Sequence, residues 1–213
     1  MTEIEQELAK LDGSITTVLQ AGMAALGGAG ARLFAMDHVM MAAVKRSLSL
    51  TSGIGAMVKA QNMVCARALL RMHLDTVSRF LAYTYVENSG NVATGVMGGA
   101  PLNRFKSSDG KRLTDGYLVE RMSRDHPWVS EVYKRTSGYV HFSESQFFDA
   151  IRSLSGDEER TLSLQISQID DKFPETSWIE VVSCFRHLTG ILLSILKAYE
   201  MSKAMQKGPA VSK

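Results

Sequence analysis

Two groups of side chains in this sequence have the types and spacing that chemistry needs. The first lies in MVCARALLRMHLDTVSRFLAYTYV, residues 63–86, where Arg67, Arg71, Asp75 and Arg79 recur every four positions. On a helix this spacing sets them along one slowly drifting face. The other directions are filled by Leu69, Leu70, Met72, Leu74, Val77, Phe80 and Leu81. A helix apolar on most sides sits at the centre of its bundle, so the charges must meet solvent, meet partner charges or line a cleft. Two uses are open: Asp75 bridges Arg71 and Arg79 on a wet face, or the guanidiniums hold a phosphate or carboxylate. Three arginines to one acid leave a positive surplus, which favours the anion site.

The second group is Tyr133-Lys134-Arg135-Thr136-Ser137-Gly138-Tyr139-Val140-His141-Phe142-Ser143. Histidine titrates near neutrality and a nearby arginine can stabilise an oxyanion, so Arg135 and His141 suit acid–base work on a phosphate. Gly138 is a candidate helix break, in which case the pair need not share a face. The bland alternative is that His141 hydrogen-bonds in a packing site between helices.

Elements that must position these groups are mostly helical. Ile4, Leu8, Leu11, Ile15, Val18 and Leu19 step by three and four, and the glycines at 27, 28 and 30 end that helix. A second helix is expected from Arg32 to Leu50, with a turn at Thr51-Ser52-Gly53-Ile54-Gly55. The third runs from Met57 to Glu87 and stops at Asn88-Ser89-Gly90. Residues 90–116 read as a surface loop with room for one short helix and with a basic patch, Arg104, Lys106, Lys111 and Arg112, around Asp109. Helices resume over 114–124, and Asp125-His126-Pro127 reads as the N-cap of one reaching Ser137. Leu162, Leu164 and Ile166 alternate with polar residues, so a short β-hairpin is expected near 147–168, Phe148–Leu154 being the other arm. Ser177-Trp178-Ile179-Glu180 is a capping box that opens a final helix to Met205.

The expected fold is therefore a mainly all-α bundle of five to seven helices in one domain, with an ordered core over 1–206 and a tail at 207–213. Composition agrees: 45% hydrophobic and 22% charged among 213 residues, with a net charge of +2, excludes disorder and fibrous repeats. The acidic start MTEIEQELAK lacks a signal peptide's basic and apolar regions. The uncharged run 13–31 is too polar, and Leu188–Leu196 too short, for a membrane span. A cytoplasmic protein with no membrane attachment is expected, its Cys65 and Cys184 being buried free thiols. The five histidines are scattered without metal-ligand spacing, and no Walker loop, nucleophile elbow or dinucleotide fingerprint occurs, so neither metal nor cofactor is expected. Asp37-His38 reads as a helix-surface or packing pair, and Arg186-His187 as the polar face of the last helix, with joining the Arg71 cluster as the alternative.

The five-residue spacing of Arg135 and His141 resembles the Arg-x(4–6)-His signature of the HEPN superfamily. These all-α proteins are often dimeric, and many are metal-independent RNases of bacterial toxin and phage-defence systems. The pairing of LLRMHLD (69–75) with SGYVHFS (137–143) is also similar to uncharacterised bacterial all-α families, over about Arg46 to Leu196. The resemblance implies a homodimer acting on RNA or another phosphate-bearing ligand. Arg135 and His141 would be the catalytic pair, and Arg71 and Asp75 would orient them from a facing helix. With Arg67, Arg79 and Tyr139, these complete the candidate ligand-binding set. The alternative from another class is a non-catalytic interaction protein whose Arg-Asp-His cluster is structural.

Overall fold

A computed structural model describes residues 1–28, 31–141, 143, 144, 147, 149, 151–154, 162–164 and 166–206. The expected tail at 207–213 and the hairpin turn at 155–159 lie outside these. Seven α-helices occur among the described residues. They are α1 (Glu3–Leu26), α2 (Ala35–Lys59), α3 (Met63–Leu81), α4 (Ser89–Met97), α5 (Asp115–Ser123), α6 (Trp128–Val140) and α7 (Glu175–Gln206). The fold is a helical bundle. Two short strands, β1 (Ile151–Leu154) and β2 (Leu162–Leu164), pair antiparallel beside it.

Local chemistry explains the helix ends. A capping box opens α1: Thr2 Oγ1 accepts from the Glu5 amide at 3.3 Å, and the Thr2 amide donates to the Glu5 carboxylate at 2.8 Å. Gly27 closes it in the left-handed region at φ 87°. Asn62 caps α3 through the Cys65 amide, Asn88 caps α4 through the Asn91 amide, and Thr114 caps α5 through the Tyr117 amide.

Four boundaries differ from the sequence expectation. The expected turn at Thr51–Gly55 is the interior of α2, which runs on to Lys59. Its glycines serve close packing: a Cβ on Gly53 would lie 3.3 Å from Leu69 Cδ1, and one on Gly55 would lie 3.7 Å from Leu11 Cδ2. The reversal comes instead at Gln61, with φ 51°, where the Asp170 carboxylate accepts from the Met63 amide at 2.7 Å and the Asp170 amide donates to the Gln61 carbonyl. Asn88-Ser89-Gly90 starts α4 rather than ending α3, which stops at Leu81 before a single 3₁₀ turn. Helix α6 passes through Gly138 to Val140, and α7 begins two residues before the Ser177 box.

The core centres on α3, as its apolar girth implied. Leu70, Leu74 and Val77 pack among Leu11 and Val18 of α1, Met40 and Ile54 of α2, and Phe185, Leu188 and Leu192 of α7. Gly22 lets α1 approach α2, since a Cβ there would sit 3.1 Å from Val44 Cγ2. By length and composition α7 could cross a membrane, but in this bundle Val182, Phe185, Leu188, Leu192 and Leu196 are buried.

An ion pair that was not expected fastens α7 at its far end. Lys203 Nζ reaches Asp37 Oδ1 at 2.7 Å with both side chains buried, and also donates to the Leu26 carbonyl at 2.9 Å. Asp37 further accepts from Tyr199 Oη at 3.0 Å and from the Phe34 amide at 2.7 Å. Asp37 is thus a buried anchor, and His38 beside it is exposed. Cys65 is exposed rather than buried, because its position on α3 faces out of the bundle.

Candidate functional site

The arginine stripe of α3 does not act as one surface, because a four-residue step drifts around the helix and meets different neighbours. Arg67 is held by aromatic rings, its Cζ 5.0 Å from the Tyr139 ring centroid and 4.9 Å from that of Phe173. It donates to Tyr139 Oη, and Tyr139 donates in turn to Asp149 Oδ2 at 2.7 Å. Burial, reinforced by the hydrogen bond to Asp149, pushes the Tyr139 hydroxyl up to about 12. Lys172, which also donates to the Asp149 carbonyl, completes a clamp on the segment after α6.

Arg71 is only 7% exposed. It pairs with Asp75 and lies under Tyr133 of α6, with Cζ 4.1 Å from the ring centroid. Its Nε is buried with no hydrogen-bond partner among the described residues. Arg79, one turn beyond Asp75, is exposed and bridges to Asp115 at the start of α5 at 2.8 Å. Asp75 therefore bridges Arg71 and leaves Arg79 to another acid.

Between α2, α3 and α4 lies a cleft of about 580 Å³. Its rim carries Arg46, Asp75 and Arg79, and its floor is Val39, Phe80, Tyr83, Val96 and Leu102. Arg46 crosses from α2 to donate Nε to Thr76 Oγ1 at 3.0 Å, and Thr76 passes its own proton to the Met72 carbonyl at 2.8 Å. Among the described residues Arg46 has no carboxylate partner. The charged residues lining the cleft, with their ion-pair partners Arg71 and Asp115 beside it, sum to three cations against two anions. An arrangement of this kind can hold an anion by bidentate hydrogen bonds. Arg46 was not singled out from the sequence, since only the packing of α2 on α3 brings it beside the stripe.

Arg135 lies on the exposed side of α6, its side chain 68% accessible. Glu131 accepts from its Nε at 2.7 Å and Glu180 of α7 stands 3.9 Å away, and these carboxylates hold its pKa above the ordinary arginine value. It lines a hollow of about 70 Å³ with Arg67, Thr136 and Cys184. His141 follows the last turn of α6 in an extended conformation, φ −119° and ψ 147°, and is exposed. Because the helix is continuous through Gly138 to Val140, it carries the chain about 7.5 Å along its axis from Arg135 before His141 leaves it. Arg71, paired with Asp75, lies against Tyr133, two residues before Arg135. Arg186 pairs with Glu7 at 2.5 Å, away from the stripe.

No family model, characterised protein or solved structure matches the chain.

The most buried titratable group of α3 is His73, fully enclosed against α7. Its ring stacks on Phe185 with centroids 4.0 Å apart, and Nε2 lies 3.0 Å from Thr189 Oγ1. Burial drives its pKa down to about 3, so it is a neutral core group. Among the described residues no group of three or more His, Cys, Asp or Glu side chains could hold a metal ion.

Proposed function

We propose that this chain is an anion-binding helical protein whose ligand, a phosphate-bearing molecule, sits in the α2–α3–α4 cleft. The observation that carries this reading is the convergence of Arg46 and Arg79 on one cleft where Asp75, the one carboxylate lining it among the described residues, is already engaged by Arg71. An arginine without an acidic partner keeps its η nitrogens for an incoming oxyanion, and its planar fork suits phosphate. Calorimetric titration with butyl phosphate tests it. Binding that weakens with added salt and falls at least tenfold in Arg46→Met supports the reading; equal binding by the variant removes it.

A second reading, metal-independent RNA cleavage by Arg135 and His141 in a homodimer, is favoured by the exposure of Arg135 on α6 and of His141 just after it. Against it stand the two glutamates around Arg135, which compete with any phosphate there. Incubation of purified protein with total RNA beside His141→Ala, with chelator present, decides it. Cleavage lost in the variant supports the reading, and cleavage by both or by neither rejects it. Light scattering gives the oligomeric state in the same preparation.

A further inference from the structure

The cleft that the proposed anion binding requires has a second property, the chemistry of its floor. Val39, Phe80, Val96 and Leu102 offer no hydrogen-bonding groups. The neutral polar side chains are Thr76 and Tyr83, and the Thr76 hydroxyl is spent, accepting from Arg46 and donating to Met72. Tyr83 is itself buried, and its hydroxyl pKa is raised by that burial. A nucleobase placed here would leave most of its donors and acceptors unpaired, which opposes binding strongly. An alkyl body loses nothing on entering and gains by leaving water. The volume, about 580 Å³, falls within the range of small-molecule sites, roughly 300–1,000 Å³.

We infer that the ligand is a small amphiphile, with a phosphate or carboxylate head held at Arg46 and Arg79 and an aliphatic body on the apolar floor. The inference rests on the anion-binding reading and narrows it. The head is specified by the fork of Arg46, which Thr76 orients through Nε so that the η nitrogens are the groups left for a ligand. The body is specified by the floor between α3 and α4. Ala42, an exposed residue of α2 on the cleft wall, marks the entrance.

Calorimetry with a series of probes tests the inference: inorganic phosphate, butyl phosphate, octyl phosphate below its micelle concentration, octanoate, and adenosine monophosphate. Affinity should rise with chain length, by up to about fourfold per methylene that enters the cleft. Adenosine monophosphate should bind more weakly than butyl phosphate. Ala42→Trp, which narrows the cleft from its exposed wall, should abolish the chain-length gain, and circular dichroism verifies that the variant is folded. Arg46→Met should weaken octyl phosphate and octanoate at least tenfold. If adenosine monophosphate matches octyl phosphate and still depends on Arg46, the amphiphile is wrong while anion binding stands. If no anion binds, or Arg46→Met changes nothing, both fall. A chain-length gain that Ala42→Trp leaves intact places the alkyl group elsewhere and also overturns the inference.

Discussion

Lowering the pH from 7.5 to 5 should cost the folded protein stability through one histidine in particular. His73 has an ordinary pKa of 6.5 and one of about 3 in the folded chain, caused by burial. The unfolded chain therefore takes up a proton that the folded chain refuses, and linkage favours unfolding as pH falls through 6.5. At pH 5 the unfolded histidine is almost fully protonated and the folded one almost fully neutral. The difference of about 1.5 pH units below 6.5 gives about 2 kcal/mol, at 1.36 kcal/mol per unit. At pH 7.5 the same group contributes almost nothing. With a urea slope of about 2 kcal/mol per molar, the midpoint should fall by about 1 M from this source. Carboxylates such as Glu7, whose pKa is held low chiefly by its hydrogen bond to Lys10, add their own loss in acid. The informative quantity is thus the difference between wild type and His73→Leu across the two pH values. Leucine is similar in size, and Thr189 keeps its proton bonded to the Phe185 carbonyl at 3.0 Å, so no hydroxyl proton is stranded. The variant should be less sensitive to pH by about 2 kcal/mol. Parallel pH dependence in the two proteins would refute the argument, because it would mean that His73 titrates alike folded and unfolded.

Other perturbations follow the same logic. Lys203→Met strands the Asp37 carboxylate in the core and should destabilise by about 3 kcal/mol in urea, with most of it recovered in the double variant with Asp37→Asn. Asp75→Ala removes the acid of nearly buried Arg71; since Asp75 is itself 30% exposed, about 2 kcal/mol is expected, and a change under about 0.5 kcal/mol would place the pair in solvent. Tyr139→Phe keeps the ring against Arg67 but removes the hydroxyl joining it to Asp149, for about 1 kcal/mol by thermal melting. In a Cys65→Ser background, alkylation of Cys184 should be slow, because burial pushes its thiol up to about 11. At pH 8.5 about 0.3% is thiolate, so the rate should rise about tenfold per pH unit to beyond pH 10; a plateau by pH 9 would contradict it.

The helical class was legible because periodicity is a property of neighbours. Leu11 and Val18 of α1, and Leu70, Leu74 and Val77 of α3, announce their faces within a few turns, and these faces are where the core forms. Boundaries were less legible where one residue type serves two ends. Gly53 and Gly55 read as a turn, yet they exist for the sake of Leu69 and Leu11, which lie on other helices. Asn88-Ser89-Gly90 reads equally well as a stop and as a start, and the asparagine side chain settles the matter by bonding forward to Asn91. The candidate site was visible as a surplus of arginine on α3 but not as a place. Arg46 and Asp115 belong to other helices, and Tyr133, Asp149 and Phe173 become relevant to the stripe by packing alone.

The clamping of α7 onto the first helices has a consequence for the chain as it is made. Leu11 and Val18 of α1 lie in the core shared with α7, and Lys203 ties the end of α1 to the start of α2. About 150 residues separate the end of α1 from the start of α7. At about 5–20 residues per second on a ribosome, the apolar face of α1 waits roughly 7–30 s for its partner. During that interval a nascent α1–α2–α3 unit presents an uncovered hydrophobic stripe, which is the kind of surface that holding chaperones bind. The order of synthesis thus makes the emergence of α7, rather than the formation of any helix, the event that closes the core.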